Sequence, residues 1–247
     1  MFDKEAIKYI TDLKHTPDEN IVSIDNELFE VNNLGEVRQL HPTVGNLARE
    51  TLQLSNLSSL VDYIKSDLDH ELETKYLHIE DNLNVTLKSL LQEDGRREEL
   101  VRATAKVPEF QFDRYHDSES FLISLNARFT ENYDRDKLIA FAGNVKEENA
   151  RQTSDDGFSQ KTTVKRGIAS AQEELVPNPV KLAPYRTFTE IEQMPSTFVF
   201  RMAEGPKFAL FEADGGAWIN DTILLIESYL VEHLVDEINE GKIVILS

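Results

Sequence analysis

The chain has no cysteine among its 247 residues. Disulfides, thiolate zinc sites and a thiol nucleophile are therefore excluded, and a reducing cytoplasm is the natural setting. Long hydrophobic runs are also missing. Nowhere do eighteen apolar residues follow one another, and Met1 leads directly into the charged stretch "MFDKEAIKYI". Neither a membrane span nor a secretory signal is expected. Cations are scarce: 26 Lys and Arg face 45 Asp and Glu, for a formal net charge of −19. That balance argues against general, sequence-independent nucleic-acid binding, which relies on basic side chains displacing counterions from phosphates.

Common chemical motifs are absent as well. There is no GxxxxGK[ST] loop, no GxGxxG after a strand, no HExxH and no GxSxG elbow. The six histidines, His15, His41, His70, His78, His116 and His233, form no pair at metal-ligand spacing. Structural or surface roles are expected for them, and no cofactor is implied.

What remains is an ordinary globular composition, 40% hydrophobic and 29% charged, long enough for one large domain or two small ones. Phe2, Ala6, Ile7, Ile10 and Leu13 predict a short amphipathic helix. "NIVSIDNELFEV" and "GEVRQL" read as short strands. Leu57, Leu60, Val61, Ile64 and Leu68 predict a helix over 55–68, with Ser55 or Asn56 near its N-cap. In "LNVTLKSLL" apolar and polar residues alternate, the mark of a half-buried strand, and "EELVRATA" returns as its partner after the Asp94-Gly95 turn. A helix from Asp117 or Ser118 buries Phe121, Leu122, Leu125 and Phe129, whereas "DRDKLIAFAGNV" suits helix or strand. "STFVFRM" and "KFALFEA" form a hairpin with Phe198, Phe200 and Met202 on one face. After "DGG" the longest helix carries a stripe of Ile219, Ile223, Ile226, Leu230 and Leu234, extended by Ile238, and "KIVIL" closes the chain as a strand. The fold class is α+β, mainly antiparallel. Residues 1–50 hold the first helix and short strands, and 51–247 the main domain, with a subdomain boundary near 105–115.

Two groups of residues invite chemistry. Residues 151–188 are the one segment that is not acidic, with six Lys and Arg against four Asp and Glu. "TSDDGFSQKTTVKRG" reads as a polar hairpin or edge strand around Asp155-Asp156-Gly157, its two acids lacking the alternating oxygens of an EF-hand loop. Lys161 and Lys165 share strand parity, Arg166 does not, and Lys181 and Arg186 follow. Tyr185 and Phe188 beside Arg186 suggest base stacking; the plainer reading is an edge strand whose charges prevent aggregation. Lys161, Lys165, Arg166 and Arg186 are the candidate partner or nucleic-acid contacts. Glu212 and Asp214, at a strand end, are the candidate divalent-metal pair, though a nuclease of that kind also needs a third acid and a nearby lysine. Trp218 is expected as a core anchor.

The series "DDGFSQKTTVKRGIA", "VPNPVKLAPYRTFTEIEQMPSTFVFRM" and "ALFEADGGAW", with "RREELVRATAKVPEFQFDRYHDSESFLISL" upstream, resembles an uncharacterised protein family. Its members occur in temperate phages and prophages of Gram-positive bacteria, near recombination and replication genes, and are distantly similar to YfdQ-like prophage proteins. The resemblance covers roughly 50–247 and transfers no catalytic residue. It implies an early phage protein in the host cytoplasm. The leading expectation is a non-enzymatic accessory protein that binds a phage or host protein, a replication, recombination or host-defence component, as an acidic inhibitor or DNA mimic. Self-association through the strands of 151–188 is part of that expectation. The alternatives are a metal-dependent nuclease or phosphoesterase and a single-stranded nucleic-acid-binding accessory protein.

Overall fold

A computed structural model of the chain describes residues 21–24, 27–32, 34–40, 48, 50–66, 74–92, 95–145, 154–155, 160–165, 171–175, 178–203 and 205–247. The helix expected at 2–13 lies outside them, as do Leu68, Asp94, Asp156, Gly157 and Arg166. The fold is α+β, and the chain divides into two compact units. One comprises residues 1–49 and 90–98, the other 50–89 and 99–247.

The smaller unit contains an antiparallel meander of β1 (Ile21–Ile24), β2 (Glu27–Val31) and β3 (Val37–Leu40). Val22 faces Phe29 across the first pair, and both are buried. Between β2 and β3, the Asn32 carboxamide accepts the Leu34 and Glu36 amides, at 3.0 and 2.9 Å, to hold the turn.

The larger unit has two cores, each a sheet covered by helices. The first sheet runs in the order β15-β5-β6-β7-β4, formed by Ile243–Leu246, Lys75–Ile79, Asn84–Ser89, Glu99–Thr104 and Leu52–Leu54. Its central pairs are antiparallel, including the hairpin expected at 83–105. Both outer pairs, β15 with β5 and β4 with β7, are parallel, so the sheet is mixed. Leu77, Ile79, Val85, Leu87, Val101 and Ala103 alternate onto one face. There they meet α1 (Leu57–Ser66) and α4 (Ala217–His233) through Leu57, Leu60, Val61, Ile226 and Leu230.

The second sheet is antiparallel, in the order β12-β13-β14-β8: Val180–Leu182, Ser196–Ala203, Lys207–Glu212 and His116–Asp117. Along β13 burial alternates strictly, with Phe198, Phe200 and Met202 inward, as the period-2 pattern required. Two helices cover that face, α2 (Ser118–Arg128) and α3 (Tyr133–Asn144). Asp117 caps α2 by accepting the Ser120 amide at 2.9 Å, and Asn132 caps α3 by accepting that of Arg135 at 2.8 Å. The ambiguous run at 134–145 is thus helical, because Leu138, Phe141 and Ala142 share one buried face.

A third sheet joins β9 (Ser154–Asp155), β10 (Gln160–Lys165) and β11 (Ala171–Leu175), with β10 in the centre. The expected hairpin is present, with Gln160 opposite Asp155. Its edge-strand reading is corrected, since β10 is paired on both sides. The helix stripe needs a correction too. Thr222, Ile226, Leu230 and Leu234 form the buried face of α4, while Ile219 is exposed in the first turn. Leu234 leaves helical geometry before the short α5 (Val235–Asn239), and Ile238 packs at the core margin.

Candidate functional site

Glu212, Asp214, Arg186 and Trp218 converge at one end of the second sheet. The convergence begins with the stretch 180–191, which crosses from one core to the other. Val180 and Leu182 are buried in the second core, whereas Phe188 and Ile191 belong to the first. Backbone bonds tie it down on the way: Thr130 donates to the Ala183 carbonyl at 2.9 Å and Tyr185 to that of Arg128 at 3.0 Å. Asn82 Nδ2 then donates to the Arg186 carbonyl at 2.8 Å, and Thr187 Oγ1 to that of Asn82 at 2.6 Å. Gln193 Oε1 accepts the Arg186 amide at 2.8 Å.

With its backbone held on both sides, Arg186 turns its guanidinium toward the ends of β13 and β14 and the start of α4. Nη2 donates to Glu212 Oε1 at 2.6 Å and Nη1 to Ser196 Oγ at 3.0 Å. The guanidinium carbon lies 4.2 Å from the Trp218 ring centre, 5.0 Å from that of Phe112 and 5.3 Å from that of Phe198. Burial lowers the Arg186 pKa, and the Glu212 and Asp214 carboxylates oppose that shift. An arginine in such a place stays charged, because its intrinsic affinity for the proton is so high. The aromatic faces and the short ion pair replace the water it has lost.

This corrects the reading of Arg186 as a surface contact. It is only 9% exposed and its donors are engaged within the fold. Phe188 is buried and offers no platform for a base, while Tyr185 stays 38% exposed. Trp218, expected as a core anchor, belongs to neither core cluster. It is partly buried at the start of α4, its ring against Arg186, behind Gly215 and Gly216, whose φ values of +64° and +80° break the chain there.

The carboxylate pair is likewise built into the fold. Glu212 holds Arg186, and Asp214 Oδ1 accepts the Gly216 amide at 3.1 Å. Lys207 lies at the other end of β14, opposite Asp117 of β8 in the strand register. Among the described residues no group of three or more His, Asp or Glu is placed to hold a metal ion. His78 sits in β5, His116 Nε2 lies 2.8 Å from the Gln111 carbonyl, and His233 stacks on Tyr229 at 4.1 Å. His15, His41 and His70 fall outside the described residues.

Lys161 and Lys165 lie in β10, opposite Leu175 and Ala171 of β11. Lys181 is exposed in β12, and its amide donates to Asp134 Oδ2 at 2.7 Å. The structure thus joins Arg186 to the acids of the alternative reading rather than to the lysines. Phe112, Ser196 and Asn82 went unnoticed in the sequence, because no local pattern links them to Arg186.

A second charged group lies on the first sheet, on the face away from its helices. Glu80 accepts from Lys88 at 2.9 Å, from Arg102 at 2.9 Å and from Thr86 at 3.0 Å. Glu99 adds a contact to Arg102 at 3.2 Å. Burial raises the Glu80 pKa, but the Lys88 and Thr86 hydrogen bonds and the two cations outweigh it, and the net shift is downward. With every charge paired, the cluster is a structural network.

No protein-family model, curated protein or solved structure matches this chain. Among the described residues no helix is long and apolar enough to cross a membrane.

Proposed function

We propose that this is a non-enzymatic accessory protein that acts by binding a basic protein partner through an acidic surface. The carrying observation is the charge distribution. From 208 to 241 the chain has eight Asp and Glu and no Lys or Arg; Asp221, Glu232 and Asp236 of that stretch are exposed, and Glu240 at its end pairs with Lys242 at 2.8 Å. A predominantly anionic surface of this kind steers cationic partners and repels nucleic acid. The sequence resemblance described above supports placing this activity in a phage-infected bacterial cytoplasm. There the partner would be a replication, recombination or host-defence protein, met by an inhibitor or DNA mimic.

The nuclease or phosphoesterase alternative rests on Glu212 and Asp214. The pairing of Glu212 with Arg186 gives that carboxylate a structural task and weighs against this alternative. Incubating the purified protein with DNA and RNA plus Mg²⁺ or Mn²⁺ separates the two. The binding reading expects no turnover, and metal-dependent cleavage lost in a folded Glu212→Gln variant would contradict it.

A further inference from the structure

Helix α4 is apolar on two sides. Its inner face, Thr222, Ile226 and Leu230, is at most 1% exposed. On the outer side Leu224, Ser228 and Val231 follow at i, i+4 and i+7, and Val235 lies beyond the break at Leu234, at the start of α5. Leu224 is 58% exposed, Val231 44% and Val235 48%. Exposed Asp221 and Glu232 border this stripe on one side. Glu227 borders it on the other, where its Oε2 accepts the Ser247 hydroxyl at 2.9 Å.

Resting on the binding reading above, we infer that this outward stripe of α4 is the docking surface, and that its partner is a cationic amphipathic helix. Leu224 and Val231, two turns apart with the small Ser228 between them, offer a short ridge against which one helix can pack. The acids on both margins call for Lys or Arg flanking the partner's apolar positions. A second copy of this chain is disfavoured, because it would bring Asp221, Glu227 and Glu232 against their own like charges. An anionic lipid surface is disfavoured for the same reason, as α4 has no Lys or Arg to meet it.

The test uses a labelled synthetic Leu/Lys amphipathic helix and a scrambled peptide of identical composition, titrated into the full chain by fluorescence anisotropy. Expected is binding of the amphipathic peptide about tenfold tighter than the scramble. Loss of about the same size is expected in Leu224→Ser/Val231→Ser, with weakening also in Asp221→Lys/Glu232→Lys. All these positions are at the surface, and circular dichroism confirms that the variants fold. Equal binding of both peptides, unchanged in Leu224→Ser/Val231→Ser, would overturn the stripe while leaving acidic docking intact. Failure of both cationic peptides to bind would overturn the stripe and acidic docking together. A wild-type dimer in sedimentation, converted to monomer by Leu224→Ser/Val231→Ser, would make the stripe a self-interface and overturn the proposed partner.

Discussion

Arg186 Nη2 and Glu212 Oε1, 2.6 Å apart, join the crossing stretch 180–191 to the end of β14. The two partners are unequally sheltered, with 10% of the Arg186 side chain exposed against 38% of that of Glu212. That inequality sets which loss is worse. Glu212→Gln leaves a buried cation without its counter-charge, costing about 3 kcal/mol. Arg186→Met leaves a carboxylate that water can reach and a side chain able to fill the aromatic slot, costing about 1–2 kcal/mol. Urea unfolding should rank the variants in that order, and the reverse order would mean the pair matters mainly through packing.

Helix α1 begins against Glu190. Asn56 Oδ1 accepts the Ser59 amide at 2.8 Å, and Glu190 Oε1 accepts the Ser58 amide and hydroxyl, each at 3.0 Å. Burial raises the Glu190 pKa, but these hydrogen bonds outweigh it and the net shift is downward. A carboxyl whose folded pKa is depressed contributes stability above its unfolded value, ~4.3, and loses it as pH falls through the folded value. Glu190→Gln should cost about 1 kcal/mol at neutral pH. The two proteins should converge in acid, which chemical denaturation at a series of pH values checks.

The two cores should unfold together. Leu182 is buried in one and Phe188 in the other, only six residues along the chain. Phe200→Ala, within the second core, should cost about 3–5 kcal/mol, and Leu60→Ala, within the first, about 2–5 kcal/mol. Both should shift one common transition, followed by circular dichroism and by Trp218 fluorescence. Two separated transitions would show that the crossing stretch does not couple the cores.

The lysine strand is expected to be silent toward nucleic acid. Lys161→Ala/Lys165→Ala/Arg166→Ala should leave single-stranded oligonucleotide retention unchanged and low. Strong retention in the wild type, lost in the triple variant, would favour the single-strand-binding alternative.

Where the sequence could be read, local rules had governed the fold. The alternation in β13 and the cap-and-stripe pattern of α2 depend on neighbours a few residues apart. The α4 stripe was displaced because Thr222, whose hydroxyl donates to the Trp218 carbonyl at 2.7 Å, can be buried as an apolar residue would be. That leaves Ile219 outside. The parallel edge pairings join residues far apart in the chain, Ile243 with Lys75 and Leu52 with Val101, which periodicity cannot carry. Arg186 was misread for a related reason. The partners of its side chain lie up to 74 residues away, and nothing nearby distinguishes a buried arginine from a surface one.

The most direct test of the central claim is recovery of the complex from phage-infected cells, with stepwise salt elution and mass spectrometry. The account predicts a protein partner with a basic contact surface that moderate salt releases, as screened charge attraction requires. A complex that resists salt, or a partner without a cationic surface, would contradict it.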